Sequence, residues 1–362
     1  MKNFNEIFID KTKYGIKIQT AEYEEKGKHI IIDQGQSQIA GYTNREDGLF
    51  QEVPVVIFGD HTRVIKYVDE PFFLGADGVK VLRSKDNNAN YKYLYYALRN
   101  AKIPDTGYNR HFKWLKEVQI NYPDREKQNE IVEILDRVSG IIQIKQEELA
   151  HLDNLIQARF VEMFGDPLDK KIANMIFADC LEFNPKKSEV KDLQDIQASF
   201  VPMECIGTDG SFAIKDKGII REYYKGYTYF RDGDVLLAKI TPCFENGKVA
   251  IAENCENGIG FGTTEFHVLR PRKDISNSYW IKYLLINERV HELATMNMSG
   301  SAGQKRIQTP FFEKLRIYLP PIELQNQFAD FVRATDKLKV EVQKSLDETQ
   351  TLFDSLMQKY FG

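Results

Sequence analysis

The stretch VQINYPDREKQNEIVEIL, at residues 118–135, has a counterpart 197 positions further along the chain, LRIYLPPIELQNQFADFV at residues 315–332. The two copies stay in step without a gap until each reaches the same dipeptide, Phe164-Gly165 and Phe361-Gly362. A repeat of this length exceeds the short periods of solenoid proteins. It therefore indicates a duplicated domain, and a molecule whose two similar halves have a pseudo-two-fold relation.

Each copy of the repeat has the pattern of a long helix. Both copies begin with proline followed by an acidic residue, at Pro123-Asp124 and at Pro321-Ile322-Glu323, which is typical of a first helical turn. Apolar residues then recur at spacings of three and four, from Ile131 to Ile156 in the first copy and more weakly in the second. We predict spacer helices at 124–165 and 320–362, each roughly 60 Å long at 1.5 Å per residue. They would pair as a coiled coil, or else pack only within their own domains.

The regions before the two helices, residues 1–123 and 166–319, have a different pattern. Short apolar segments, such as residues 53–58 and 234–238, are separated by Gly, Asp and Asn, which is typical of strands and turns. A helical segment follows late in each region, at 91–100 and at 279–293. The predicted fold class is therefore mixed α/β (α+β), with two globular domains, each followed by its long helix.

Composition limits the class of protein. The chain of 362 residues is long enough for two domains with cores of their own. No apolar run approaches the roughly 20 residues of a membrane span, and the first residues lack the apolar core of a signal peptide. The four cysteines form no C-x-x-C pair, so we predict ordinary thiols and a cytoplasmic location.

Charge neither requires nor excludes a nucleic acid partner. The net charge of −4 argues against one. The acidic excess lies in the repeated segments, however, since residues 124–165 have a net charge of −4 and residues 320–362 of −2, whereas residues 1–123 have +2. The regions before the helices can therefore still present basic faces.

No catalytic motif is evident. The tetrapeptide Asn184-Pro185-Lys186-Lys187 lacks the second proline and the aromatic residue of an adenine methyltransferase motif. Residues 258–262, GIGFG, do not match G-x-G-x-x-G, and we interpret them as a turn beside a strand. The sequence contains no P-loop. We therefore predict a chain that is not an enzyme and binds no metal or cofactor itself.

Four loops carry side chains suited to DNA. Residues 239–248 follow a predicted strand, residues 59–63 form another basic loop, and residues 106–112 and 299–307 precede the two repeated segments. Arginine forms bidentate contacts with guanine or phosphate, Asn and Gln suit adenine, and Lys and Thr suit phosphate. Ordinary solvated loops are the alternative. The candidate DNA-binding residues are Arg63, Tyr108, Asn109, Arg110, Lys239, Thr241, Lys248, Gln304, Lys305 and Arg306.

Through these residues the chain resembles the specificity subunits of type I restriction–modification enzymes. The resemblance is carried by residues 75–82, 108–112, 233–248, 260–271, 300–307 and 319–325. It implies two target recognition domains that each read one half of a split DNA site, spaced by helices that form an antiparallel coiled coil. It also implies methyltransferase subunits bound beside the coil, which methylate adenine with S-adenosylmethionine. The sequence leaves open whether nuclease subunits join them.

Two functions follow as hypotheses. The first is a non-catalytic DNA-binding specificity subunit that directs a type I adenine methyltransferase or restriction complex to a bipartite site. The alternative is a coiled-coil scaffold that binds only proteins, which the acidic helices favour. Salt-dependent DNA binding by the assembled complex distinguishes the two, because phosphate contacts give a steep salt dependence.

Overall fold

The computed structural model describes residues 1–75, 77–107, 109–301 and 303–362. The chain divides into two units, of which unit 1 comprises Met1–Glu147 with Gln343–Gly362 and unit 2 comprises Glu148–Val342. The division follows packing and cuts each long helix near its middle. The boundaries predicted between each target region and its helix therefore remain predictions.

Unit 1 combines short strands with three short helices and part of each long helix. Its elements are β1 (Lys2–Asn3), α1 (Phe4–Ile7), β2 (Phe8–Asp10), β3 (His29–Ile32), β4 (Gly41–Thr43), β5 (Val55–Gly59), β6 (Ile65–Val68), β7 (Phe72–Leu74), β8 (Val79–Ser84), α2 (Tyr91–Arg99), α3 (Phe112–Leu115), β9 (Gln119–Ile120) and the first part of α4 (Arg125–Phe164). The strands form three sheets, with the orders β2-β8-β5-β6, β4-β3-β7 and β1-β9.

Unit 2 begins with the last part of α4 and ends with the first part of α9. The elements between them are β10 (Met175–Ile176), β11 (Leu181–Phe183), β12 (Gln197–Val201), β13 (Asp216–Ile219), α5 (Ile220–Tyr223), β14 (Thr228–Arg231), β15 (Val235–Ala238), β16 (Val249–Ile251), β17 (Ile259–Gly262), β18 (Phe266–Pro271), α6 (Ser278–Ile286), α7 (Glu288–Met296), α8 (Thr309–Lys314) and β19 (Arg316–Ile317), followed by α9 (Ile322–Phe361). Their sheets have the orders β11-β18-β15-β16, β13-β12-β17-β14 and β10-β19.

The two units share a sheet topology although their target regions differ in sequence. The sheet β2-β8-β5-β6 of unit 1 corresponds to β11-β18-β15-β16 of unit 2, and β1-β9 corresponds to β10-β19. The remaining sheet contains a parallel pair in both units, β3 with β7 and β12 with β17. The duplication evident in the helices therefore extends to the target regions.

Alternating side chains explain why one strand is central in each unit. Val56 and Phe58 of β5 point into the cluster that contains α2, whereas Val55 and Ile57 join the cluster formed with β3 and β7. Successive side chains of a strand face opposite sides, so a strand that is apolar at every position needs cover on both faces. Strand β5 and its counterpart β15 in unit 2 accordingly each lie between a helix layer and a second sheet.

The structure differs from the sequence-based expectation at two places in unit 2. The helix predicted at 279–293 is divided at Asn287, whose ψ of 128° ends α6. The carbonyl of Asn287 then accepts from the N–H of His291 at 2.9 Å, at the start of α7. Residues 259–262, interpreted as a turn, form strand β17 between β12 and β14. Gly260 is needed there, because a Cβ atom would lie 2.1 Å from the ring of Phe230.

The long helices pack antiparallel, as predicted. In unit 2, Phe160 and Phe164 of α4 each lie 5.4 Å from the ring of Phe328 of α9. Further along, Lys339 Nζ of α9 reaches Asp153 of α4 at 2.6 Å, so the two sequences run in opposite directions. In unit 1 the start of α4 packs with the end of α9, through Ile131, Leu135, Val138, Phe353 and Met357.

No helix among the described residues combines the length and the apolar composition that crossing a membrane requires.

A buried glutamine joins the target region to the long helix in unit 1. The side chain of Gln128 is 2% exposed. Its Oε1 accepts a hydrogen bond from the backbone N–H of Asn90 at 3.0 Å, and its Nε2 donates to the carbonyl of Pro123 at 2.9 Å. Asn90 also donates through Nδ2 to Asn129 at 2.9 Å, and its Oδ1 caps the start of α2.

The same arrangement recurs in unit 2. Gln325 is fully buried, accepts from the N–H of Asn277 at 2.9 Å and donates to the carbonyls of Pro320 and Ile275 at 2.8 and 3.0 Å. Asn277 donates to Asn326 at 2.9 Å and caps α6. We call these two networks the glutamine clamps. Each fixes the capping residue of a short helix to the first turn of a long helix.

We predict that Gln325→Ala lowers the free energy of unfolding of unit 2 by about 1–3 kcal/mol, because it leaves buried backbone groups without partners. Gln327→Ala, at an exposed position of the same helix, should change it by less than about 0.5 kcal/mol. Urea unfolding followed by the fluorescence of the buried Trp280, in a Trp114→Phe background, measures both variants. Equal midpoints for the two variants would show that the clamp contributes nothing.

Candidate nucleic-acid interface

Two loops meet in unit 2. The hairpin loop that follows β15 and the loop that precedes α8 are joined by an antiparallel bridge between Ile240 and Arg306. The N–H of Thr241 donates to the carbonyl of Lys305 at 3.0 Å, and the N–H of Lys305 donates to the hydroxyl of Thr241 at 2.9 Å. We call residues 239–242 with 304–307 the unit 2 loop pair. It brings together side chains that are 64 residues apart in sequence.

An ion pair orients the arginine of this loop pair. The guanidinium of Arg306 donates through Nε and Nη2 to the two carboxylate oxygens of Glu265, at 3.0 and 2.8 Å. The hydrogen bond and charge of Arg306 lower the pKa of Glu265 below its usual range, against a smaller effect of burial. Glu265 is therefore ionised at neutral pH and directs the arginine. Glu265 was not among the residues predicted from the sequence, although it lies within the stretch 260–271 that carries the family resemblance.

A buried, neutral histidine forms a hydrogen bond with the unit 2 loop pair. His267 is 5% exposed, and its Nε2–H donates to the carbonyl of Ile307 at 2.9 Å. Burial lowers the pKa of His267, so the ring is uncharged at neutral pH and its role is structural. The N–H of Ile307 in turn donates to the carbonyl of Lys239 at 3.0 Å.

Unit 1 brings together the equivalent two loops with different side chains. The loop that follows β5 contributes Asp60, whose carboxylate accepts from the N–H of Phe112 at 2.8 Å and whose carbonyl accepts from the N–H of His111 at 2.8 Å. Asp60 and His111 are both buried. Arg63 then pairs with Asp105 at 2.7 Å. We call residues 59–63 with 105–107 and 109–112 the unit 1 loop pair.

The described candidate residues fall into two groups, one in each unit. Asn109 and Arg110 are exposed on the unit 1 loop pair, beside the half-buried Arg63. Gln304 and Lys305 are exposed on the unit 2 loop pair, and the group is completed by Lys239, Thr241, Lys248 and Arg306. Tyr108 lies outside the described residues. Which of these residues touch DNA remains a prediction.

Lys248 and Asn109 have intramolecular acceptors, as do Arg63 and Arg306 through their ion pairs. Lys248 is half-buried and donates through Nζ to the carbonyl of Met203 at 3.2 Å, and the side chain of Asn109 donates to the carbonyl of Thr106. A lysine ammonium has three N–H donors and an asparagine amide has two, so each residue keeps donors for DNA beside its present acceptor. Among the described residues, no side-chain hydrogen bond or ion pair engages the charged groups of Lys239, Lys305 and Arg110.

The chemistry of the loop pairs suits recognition more than reaction. Guanidinium, ammonium, amide and hydroxyl groups provide hydrogen-bond donors for phosphates and base edges. Within residues 1–75, 77–107, 109–301 and 303–362, no group of His, Cys, Asp and Glu side chains is arranged to hold a metal ion. Each unit therefore carries one loop pair that is a candidate surface for nucleic-acid recognition.

Comparison with known proteins identifies the family. The family model for the type I restriction modification DNA specificity domain matches residues 2–154 and 179–349. The chain therefore belongs to this family, with one match in each half. The two matches correspond to the duplication seen in the sequence and in the sheet topology.

Individual relatives agree with this assignment. The chain is 43% identical over 185 residues to the type I restriction enzyme EcoAI specificity subunit of Escherichia coli, a match that covers 49% of this chain and 30% of that protein. The chain thus spans about a third of the length of that relative. Among solved structures, the S subunit of a type I restriction–modification system from M. genitalium has a TM-score of 0.56 at 16% identity, covering 100% of this chain and 95% of that one.

A second solved structure has the same fold. It comes from work on complex assembly and conformational transition of the type I R-M system, with a TM-score of 0.55 at 15% identity, covering 99% of this chain and 96% of that one. At these identities the two structural matches support the fold alone. They agree with the predicted architecture of two mixed α/β domains and two long antiparallel helices.

The backbone of Arg63 gives a test of the unit 1 loop pair. Its φ of 62° lies in the left-handed region, which costs a residue with a side chain roughly 1–2 kcal/mol and glycine little. We predict that Arg63→Gly is more stable than Arg63→Ala by about 1 kcal/mol, since both variants lose the ion pair with Asp105. The difference between their urea unfolding midpoints measures this.

Arg83 provides the matched control. It lies in strand β8 and also pairs with an acidic side chain, Glu52, at 2.5 Å. There Arg83→Gly should be the less stable variant, by roughly 0.5–1 kcal/mol, because glycine weakens a strand interior. The same order of stability at both positions would mean that the loop does not hold Arg63 in the left-handed conformation.

Proposed function

We propose that this chain is the DNA-recognition subunit of a type I restriction–modification complex and that it has no catalytic site of its own. Its two target recognition domains would each read one half of a split DNA site. Through bound methyltransferase subunits, the chain would direct adenine methylation to that site. Because the chain spans only part of the curated relative, the activity of the whole complex is inferred here from the family and from the loop pairs.

The observation that carries the proposal is the recurrence of a loop pair in each unit. Both pairs combine the hairpin loop after the central strand with the loop before the last short helix. Both carry exposed polar and basic side chains, Asn109 with Arg110 and Gln304 with Lys305. The exposed side chains differ between the units, with asparagine and arginine in one and glutamine and lysine in the other. Two unlike readers suit an asymmetric bipartite site.

Apolar side chains exposed on the long helices support the binding of partner subunits. Ile141 and Leu338 are 41% and 52% exposed, and Leu155 and Leu352 are 49% and 51% exposed. The two residues of each pair are 197 positions apart, which is the offset of the repeat. Unit 1 carries Ile141 and Leu352, and unit 2 carries Leu155 and Leu338. Exposed apolar patches on a helix suit protein contacts. Two equivalent patches suit two copies of a methyltransferase subunit, beside which a nuclease subunit could join.

The cofactor and the cellular location remain part of the proposal. S-adenosylmethionine would be bound by the partner methyltransferase and not by this chain. The four cysteines are free thiols, which suits a reducing cytoplasm.

The direct experiment maps methylated adenines in a host that expresses this chain with its methyltransferase. The expected result is one bipartite motif that disappears when the chain is omitted. The purified complex should also bind DNA with an affinity that falls steeply as salt concentration rises. A complex that binds no DNA at any salt concentration would instead indicate the scaffold function.

We predict that Arg110→Ala and Arg306→Ala relax recognition in different halves of the site, because Arg110 lies in unit 1 and Arg306 in unit 2. Loss of one bidentate contact should reduce discrimination at a single base pair by about 1–3 kcal/mol. Methylome sequencing of cells carrying each variant measures this. Each variant serves as the control for the other, and relaxation of the same half by both would contradict the assignment.

We also predict that the long helices set the spacing of the half-sites. Removing one heptad from each helix, residues 142–148 and 345–351, shortens the coil by about 10 Å at 1.5 Å per residue. The preferred spacer should then shrink by about three base pairs at 3.4 Å each, or assembly should be lost. The double variant Gln143→Ala, Gln350→Ala changes two exposed residues in the same segments without changing length and should keep the original spacer. An assembled deletion variant with an unchanged spacer would rule out this role.

A further inference from the structure

A cavity of about 390 Å³ in unit 2 opens beside the unit 2 loop pair. It is lined by Lys239 and Arg306 of the loop pair and, from other parts of unit 2, by Lys187 and Tyr227. The hydroxyl-bearing residues Thr264 and Thr309 also line it. No acidic residue is among the described residues that line this cavity.

The wall that carries Lys187 is a rigid turn. It begins at Asn184, which has a left-handed φ of 47°, a conformation that asparagine tolerates better than most residues. The N–H of Asn184 donates to the carbonyl of Val268 at 2.7 Å, and its Oδ1 accepts from the N–H of Val268 at 3.0 Å. Asn184 thus both donates a hydrogen bond to strand β18 and accepts one from it. This is the Asn-Pro-Lys-Lys sequence that lacked a role as a methyltransferase motif.

Contacts with residues outside the cavity hold Lys187 and Tyr227 in place. Lys187 Nζ donates to the carbonyl of Tyr224 at 3.1 Å, an uncharged partner that leaves its positive charge unneutralised. The ring of Tyr227 packs edge-on against Phe200 at 4.9 Å. Both side chains are therefore half-buried and restrained before any ligand arrives.

The charge of the cavity is positive. Arg306 is neutralised by its ion pair with Glu265, whereas Lys187 and Lys239 bring two further positive charges. His267, which also lines the cavity, is buried, and its Nε2–H donates to the carbonyl of Ile307. A ligand suited to this lining has negative charge and several acceptor oxygens. A DNA phosphodiester has both, and it carries no hydrogen-bond donor that would need an acidic partner.

We propose that this cavity binds a backbone phosphate of the DNA that the adjacent loop pair reads, an inference that rests on the proposed function. Phosphate contacts fix the register of a protein on DNA but carry no sequence information, whereas base contacts carry it. Lys187 and Lys239 would therefore position the target recognition domain of unit 2, and the other side chains of the loop pair would read bases. Neither Lys187 nor Tyr227 was among the residues expected from the sequence to contact DNA.

The test measures DNA binding by the complex assembled with its methyltransferase subunits, over a series of salt concentrations. Lys187→Gln should reduce the slope of log affinity against log salt by about 0.9, the value for one phosphate contact. Affinity should fall by the same factor for DNA with and without the recognised site, and the methylated motif should stay unchanged. Lys239→Gln, which changes a second lysine that lines the cavity, should reduce the slope similarly and covers the case in which Lys187→Gln folds poorly.

Lys191→Gln is the matched control, because Lys191 is an exposed lysine four residues away that does not line the cavity. It should keep the wild-type slope. A wild-type slope in both Lys187→Gln and Lys239→Gln, or a changed motif in Lys187→Gln, would overturn the proposal. The proposal would also be overturned if both variants kept the wild-type slope while inorganic phosphate, at constant ionic strength, stabilised the wild-type protein. That result would assign the cavity to free phosphate. If the wild-type complex binds no DNA at all, the proposed function itself fails together with this inference.

Discussion

The glutamine clamps are the constraint on which each unit depends. A buried side-chain amide needs partners for both its oxygen and its nitrogen, and leaving them unpaired is costly. Gln128 and Gln325 find these partners only when the cap of a short helix lies against the first turn of a long helix. The clamp therefore fixes the target region of each unit at one place and in one orientation on the helix that follows it.

On this shared frame, the two units differ where they would meet DNA. Asp60 and His111 join the loops of unit 1, whereas Thr241, Lys305 and the Glu265–Arg306 pair join those of unit 2. Different side chains thus produce the same proximity of the same two loops. Because the supporting contacts lie at the base of each loop pair, the exposed positions can vary without disturbing the sheets.

The sequence predicted the elements better than their contacts. Local signals placed the long helices at 124–165 and 320–362, against Arg125–Phe164 and Ile322–Phe361 in the structure, because their first turns and apolar spacing are decisive. The break at Asn287 was missed, since the apolar pattern continues across it. The contacts that join the two loops of each pair could not be predicted from the sequence. Arg306 and Glu265 are 41 residues apart and His111 and Asp60 are 51 apart, and only the folded sheets bring such residues together.

The division of the chain between the units has a consequence for its synthesis on the ribosome. Unit 2 is one continuous segment, whereas unit 1 needs both the first 147 residues and the last 20, Gln343–Gly362. Phe353 and Met357, which are translated after all of unit 2, cover the apolar face formed by Ile131, Leu135 and Val138. Unit 1 can therefore be completed only after the whole of unit 2 has been made. A prematurely terminated chain would carry an uncovered apolar face, which quality-control proteases and chaperones recognise.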